Sequence, residues 1–250
     1  MLDQLDAATQ IETGADVCAR PCIFSDLSDL SRLGSSARAT LARHARPRSY
    51  TAGSVVYYQD DPTTHLHVLT RGHVRLSHIG EDGFVTLFTI VAPGRTFGEA
   101  GMLDGSGYCE TASTVGAADA LAIDREWMGR EGAAYDELRM EVGRLIAARY
   151  RQHVEFSRGL YLPNLAQRLS HSLLYLLGSL GNGISLRGRK AECLGPEVTQ
   201  RDLGSMARGT RENVNKTLRK WEKDGILSLE DRHIILLDRP RMEEIALALD

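Results

Sequence analysis

The 250-residue chain lacks the marks of several protein classes. Its four cysteines, Cys18, Cys22, Cys109 and Cys193, are too scattered for a disulfide framework. Cys18 and Cys22 stand close together in "CARPC", but no nearby His or Cys completes the ligand set of a structural zinc site. No apolar run nears the roughly 18 residues of a membrane span. Residues 1–16 have neither the basic start nor the apolar centre of a secretory leader, so a cytoplasmic protein with no membrane partner is expected. A phosphate loop, a nucleophile elbow and a metal triad are all missing, which argues against an enzyme. No metal site is assigned, and the cofactor is left unknown. There is no overall basic excess either: the net charge is -3, so any affinity for nucleic acid has to come from local charge.

What is present changes texture along the chain. Residues 1–25 read as an N-terminal extension, and residues 26–46 have the polar and apolar spacing of one or two short helices. From Pro47, short β-rich runs such as "SYTAGSVVYYQDD" and "THLHVLTRGHVRLSHIG" are punctuated by Gly, Pro and Asp. They predict a compact β-roll or sandwich within 26–133. Residues 134–160 then form one long helix with an apolar stripe of Leu138, Val142, Leu145, Ile146, Tyr150, Phe156 and Leu160. A helix of about 25 residues spans about 37 Å, more than a small barrel covers, so this stripe is expected to meet a second copy of the chain. Arg149, Gln152 and His153 interrupt it. Pro163 opens a last domain, 163–250, in which "GNGISLRGRK" reads as a loop with a short strand.

That last domain holds the local charge. Within 199–223 there are seven Lys or Arg against three Asp or Glu. Thr199 and Asp202 have the spacing of a capping box, Gly209 supplies a turn, and Thr210 can cap a second helix. On that second helix Val214, Leu218 and Trp221 recur at inward spacings. Glu212, Asn215, Lys216, Arg219 and Lys223 fall on the opposite side, with Arg211 at the N-terminal end. "GILSLEDRHIILLDRP" follows as a hairpin. Two helices, a tight turn and a wing describe a winged helix-turn-helix. Its second helix enters a major groove with its first residues at the base edges. There Arg211 can donate twice to a guanine, and Glu212 can accept from a cytosine amino group. The DNA-facing set is therefore Thr199 and Arg201 on the first helix, Thr210, Arg211, Glu212, Asn215, Lys216, Arg219 and Lys223 on the second, and Arg232 on the wing.

With these motifs in place, the chain resembles the CRP/FNR superfamily of bacterial transcription regulators over about residues 25–238. The likeness rests on "GSVVYYQDDP", "TRGHVRLSH", "PGRTFGEAGMLDG" and "TRENVNKTLRKWEKDGIL". It implies an α+β architecture: a cupin-like β-roll of the cyclic-nucleotide-binding type, a long dimerisation helix, and a C-terminal winged helix-turn-helix. It further implies a homodimer on double-stranded palindromic DNA with half-sites resembling TGTGA, read by Arg211, Glu212 and Lys216. RNA polymerase and a small-molecule effector are the further partners implied. The other reading is a cyclic-nucleotide-binding module that acts through protein contacts.

The likeness breaks at the effector. Gly98-Glu99 match the ribose-binding pair of cyclic-nucleotide members, but the Arg-Ser pair for the cyclic phosphate is missing. One alignment puts Glu110-Thr111 there and another Tyr108-Cys109; neither supplies a cation. A carboxylate there repels a phosphate, so ordinary cyclic AMP is not the expected effector. The expected pocket residues are Gly98, Glu99, Glu110 and Thr111, with His153 on the long helix. Paired histidines His65 and His67 on one strand face also fit an imidazole ligand set, with a core or surface role as the commoner alternative.

Overall fold

In the computed structural model, residues 29–180, 182–186 and 189–247 are described. The N-terminal extension with Cys18 and Cys22, and the last three residues, lie outside them. Helix α1 (Ser35–His44) leads into eight strands. These are β1 (Ala45–Tyr50), β2 (Val55–Tyr57), β3 (His65–Arg71), β4 (Val74–Ile79), β5 (Val85–Val91), β6 (Thr96–Phe97), β7 (Thr111–Thr114) and β8 (Ala118–Asp124). They make two four-stranded sheets, β1-β8-β3-β6 and β2-β7-β4-β5. The short helix α2 (Gly101–Asp104) lies between β6 and β7.

The chain changes sheet between β3 and β4. Gly72 makes that corner at φ +81°, and a Cβ on it would sit 2.5 Å from the Ala117 carbonyl oxygen. Only glycine meets both demands. Between the sheets, Tyr57, Phe97 and Tyr108 stack, the Tyr57 and Tyr108 rings 3.7 Å apart. His67 lies on Phe97 at 5.0 Å, and burial pushes its imidazole down to about 3. It is a neutral core ring, and among the described residues no group of three or more His, Cys, Asp or Glu could hold a metal.

Helix α3 (Ala133–Leu160) runs from the β-roll to the C-terminal domain. That domain comprises α4 (Leu165–Leu180), β9 (Asn182–Leu186), β10 (Arg189–Leu194), α5 (Gln200–Ala207), α6 (Arg211–Lys223), β11 (Leu227–Glu230), β12 (His233–Leu236) and α7 (Arg239–Leu247). The stretch expected to hold one short strand is a two-stranded hairpin, β9–β10, in register Ala191↔Ile184. It extends the wing into a four-stranded sheet, β11-β12-β10-β9. Turn-forming glycines hid its alternation. Helix α7 packs on α4 through Met242, whose carbonyl accepts from the buried Ser170 hydroxyl at 2.6 Å.

The two domains share a core. Leu87 and Ile90 of β5 and Phe156 of α3 are buried together with Leu169, Leu173, Leu203, Met206 and Trp221 of the C-terminal domain. A second cluster joins Leu138 and Val142 of α3 to Leu41, Leu66, Ile123 and Trp127. The apolar stripe of α3 is thus largely used inside its own chain. Leu138, Val142 and Phe156 are each 2% exposed, and Leu145, Ile146 and Leu160 are partly buried against these cores. Tyr150 alone of the expected dimer residues is broadly exposed, at 68%. The apolar residues satisfied the nearest core first, and the outward side carries Met140, Gly143, Ala147, Tyr150 and Val154 instead.

Candidate nucleic-acid interface and sensor cavity

Helix α5 begins where the spacing placed it. The Thr199 hydroxyl accepts from the Asp202 backbone N–H, and the Asp202 carboxylate accepts from the Thr199 N–H at 2.8 Å. The turn that follows differs in detail. Arg208, not Gly209, takes the left-handed conformation, at φ 49°. Gly209 is required for space: a Cβ there would lie 2.5 Å from Leu165 Cδ1, and one on Gly204 would lie 2.7 Å from the Gly209 carbonyl oxygen. The Thr210 hydroxyl then caps α6 through the Asn213 N–H at 3.3 Å.

On α6, Val214, Leu218 and Trp221 are buried. Arg211, Glu212, Asn215, Lys216, Arg219 and Lys223 are all exposed, as are Thr210, Arg201 and Arg232. Thr199 is half-buried. Glu212 Oε1 lies 2.8 Å from Lys216 Nζ, one turn along, and Arg219 pairs with Glu222. The wing turns at Asp231 and Arg232, both at positive φ (44° and 67°), which thrusts Arg232 outward.

This domain is seated on the roll. Arg75 of β4 donates from Nε and Nη2 to the two Asp202 carboxylate oxygens, each at 2.8 Å. Burial alone would push the Asp202 carboxyl up; the Arg75 and Thr199 hydrogen bonds outweigh that and hold it below the usual carboxylate range. Ser205 of α5 accepts from the Leu87 N–H at 2.9 Å and donates to the Val85 carbonyl. A cleft of about 1320 Å³ separates the β4–β5 hairpin from the DNA-binding domain. Phe84 and Val85 line one side, and Arg201, Arg211, Arg219 and Arg232 the other.

A second cavity, about 430 Å³, lies among the roll, α3 and α4. Of the expected pocket residues, Glu99, Glu110 and His153 line it. Gly98 and Thr111 do not: Gly98 faces the Tyr108 and Tyr57 rings, and the Thr111 hydroxyl accepts from the Gln59 N–H at 3.1 Å. Both were placed by the resemblance, Gly98 through the Gly-Glu pair and Thr111 through the alignment of Glu110-Thr111. Leu76, Phe88, Ile146, Phe156 and Tyr175 also line the cavity and were not anticipated as pocket residues, and Arg149 lines it as well, an arginine of the long helix being the kind of cation that could stand in for the missing one. Arg149 alone had left a sign, as a charge breaking the apolar stripe.

Arg149 Nε donates to Glu99 Oε1 at 2.9 Å, and Nη2 donates to the Thr96 carbonyl at 2.8 Å. Burial opposes its charge, and the Glu99 carboxylate more than offsets this, so the guanidinium is held protonated beyond its ordinary range. Glu110 accepts from the Tyr57 hydroxyl at 3.0 Å. Burial, reinforced by the nearby Glu99 charge, pushes its carboxyl up to about 7. Cys109 beside it is raised as well, chiefly by burial, the opposite of an activated redox thiol.

A β-roll joined by a long helix to a winged helix-turn-helix defines a class of DNA-binding transcription regulators. The chain matches the family model of the cyclic nucleotide-binding domain over residues 47–130. It matches that of the Crp-like helix-turn-helix domain over 167–245. It is 25% identical to the CRP-like cAMP-activated global transcriptional regulator of Mycobacterium tuberculosis, covering 91% of this chain and 97% of that one. It is 26% identical to the cyclic AMP receptor protein of Thermus thermophilus, covering 81% and 88%. In fold it is similar to FixK2 from Bradyrhizobium japonicum, with TM-score 0.70 and 20% identity over 82% of this chain and 99% of that one. The chain belongs to the CRP/FNR family of transcription regulators. No helix among the described residues is long and apolar enough to cross a membrane.

The Glu110 shift has a definite sign. Unfolded, the carboxyl titrates at its ordinary value of 4.5; folded, it does so at about 7. Between those values the folded state keeps a proton that the unfolded state has lost, so stability falls as pH rises and levels off above 7. Glu110→Gln removes that loss. The variant is expected to gain roughly 2–4 kcal/mol over the parent at pH 8 and almost nothing at pH 4.5, read from paired thermal melts.

Proposed function

We propose that this chain is a homodimeric regulator that reads a palindromic DNA site with α6 in the major groove. The observation that carries the reading is the division of α6: Val214, Leu218 and Trp221 face inward, while Arg211, Glu212, Asn215 and Lys216 are free of packing. Arg211 suits guanine O6 and N7, and Glu212 suits a cytosine amino group. Lys216 offers a point charge where Arg offers a fork, so it makes a single contact. Half-sites resembling TGTGA fit this set. Lys220 and Lys223 lie nearer phosphates and set the salt dependence.

Dimer formation is supported by the outward face of α3. Met140, Gly143, Ala147, Tyr150 and Val154 recur at alternating spacings of three and four, the seam of a two-stranded coil. Met140 is 61% exposed, too much apolar surface in one line for a free helix. Two such chains present two α6 helices to half-sites about one helical turn apart. A DNA target also places the protein with the chromosome, in the cytoplasm, with RNA polymerase as its downstream partner.

The arrangement described is the closed one. Arg211 and Arg219 of α6 line the cleft walled by the β4–β5 hairpin, so a duplex on that face meets the hairpin. DNA binding therefore requires α5 to leave the roll, breaking the Arg75–Asp202 contact, and an effector in the roll biases that step by its differential affinity.

Three outcomes are expected. Arg211→Ala costs about 1–3 kcal/mol at one G·C position and relaxes specificity there, read by fluorescence anisotropy on single-base variants of a selected site. An equal loss on every sequence removes base readout from the argument. Ala147→Arg puts two charges into the seam and shifts sedimentation from dimer to monomer mass, while the circular dichroism of the folded chain persists. Arg75→Ala tightens DNA binding in the absence of any effector by about 1 kcal/mol, roughly fivefold; unchanged or weaker binding excludes the closed-state role.

A further inference from the structure

The cavity between roll and α3 holds an acceptor with nothing to accept. Glu99 is 3% exposed; its Oε1 is taken by Arg149, and its Oε2 is buried with no hydrogen-bond partner among the described residues. Arg149, the guanidinium among the lining residues, is already paired in charge with Glu99. Three of its five N–H groups go to Glu99, to the Thr96 carbonyl and, at 3.2 Å, to Gln152 Oε1. An incoming phosphate meets two carboxylates and a guanidinium whose charge one of them already offsets. An incoming ammonium meets a ready acceptor. The remaining walls, Leu76, Phe88, Ile146 and Phe156, are apolar and suit a flat body.

We propose that this cavity binds a small organic cation, a protonated amine on a flat apolar body, and refuses ligands that bring a phosphate. The proposal deepens the reading of the roll as the sensor domain and rests on it. With Glu110 ionised, the Glu99–Arg149 pair and Glu110 sum to one negative charge, which one amine neutralises. Without ligand, Glu110 holds a proton up to about pH 7. The amine replaces that proton, so binding releases it and strengthens as pH rises from 6 to 8. The other titratable groups facing the cavity are Cys109 beside Glu110, Tyr150 and His153 on α3 and Tyr175 on α4; Tyr57 of β2 donates to Glu110.

The test is calorimetric titration of the full chain at pH 6 and pH 8 with four probes. Tryptamine, indole-3-acetamide and indole-3-acetate share one ring and differ in head-group charge; cyclic AMP is the fourth. Tryptamine is expected to bind about tenfold tighter than the amide, and about tenfold tighter at pH 8 than at pH 6. Indole-3-acetate and cyclic AMP should give no saturable heat. Glu110→Gln loses the pH dependence, whereas His73→Gln, outside the cavity, keeps it. Acetate or cyclic AMP binding as tightly as tryptamine overturns the proposal. So does no tryptamine binding at millimolar concentration, or a pH dependence that survives Glu110→Gln. Anisotropy on the selected DNA separates the two readings: DNA binding without tryptamine binding removes the ligand class alone, and tryptamine binding without DNA binding removes the regulator.

Discussion

The buried ion pair between Arg149 and Glu99 fixes how the rest of the molecule is arranged. A guanidinium and a carboxylate that are both largely withdrawn from water tolerate each other and little else: removing one leaves the other uncompensated. Their 2.9 Å contact joins the middle of α3 to the loop after β6. A second anchor, from Arg149 to the Thr96 carbonyl, ties the same side chain to β6 itself. The helix can therefore neither slide nor roll on the sheet without breaking charged hydrogen bonds. Everything α3 presents elsewhere follows from that register.

What α3 presents is three faces for three clients. Leu138 and Val142 complete the core of the roll, and Phe156, several turns further on, enters the core of the DNA-binding domain. The outward side is the face proposed above to meet a second copy of the chain. The cavity opens where the two cores part company, and Tyr175 brings α4 to its wall. A ligand there touches both domains at once. It needs no relay to be felt at the base of the helix-turn-helix, only a different fit in the open and closed arrangements.

How much of this was legible in the sequence depended on range. The caps of α5 and α6 are local chemistry, set within four residues, and Thr199, Asp202 and Thr210 act as their spacing indicated. The roll was legible because its turn glycines recur between short strands. The seam of α3 was not. Leu, Val and Phe draw the eye, yet such residues are the first to be buried against their own chain, while small Gly143 and Ala147 carry little hydrophobic signal. The cavity was half legible: Glu99 stood out as a match to the ribose-binding pair and Glu110 as a departure from a phosphate site, but the partner of Glu99 lies 50 residues away on another element. The tight turn at Gly209 was expected for the wrong reason, since the residue next to it bears the unusual φ and the glycine makes room for Leu165.

Asp202 bears on the opening proposed above. Its carboxylate serves two masters, capping α5 through Thr199 and pairing with Arg75 across the domain interface. When α5 departs, the cap hydrogen bonds stay with the helix, so the carboxylate is not abandoned in an apolar setting. Arg75, already partly exposed on the roll, regains water as its partner leaves. Neither group is stranded, and breaking the contact costs far less than breaking the Arg149–Glu99 pair would. A hard joint therefore holds α3 to the roll, and a soft one holds α5. Ligand chemistry acting near the hard joint can tip the soft one without dismantling the fold, which is the hierarchy of strengths a switch between two arrangements requires.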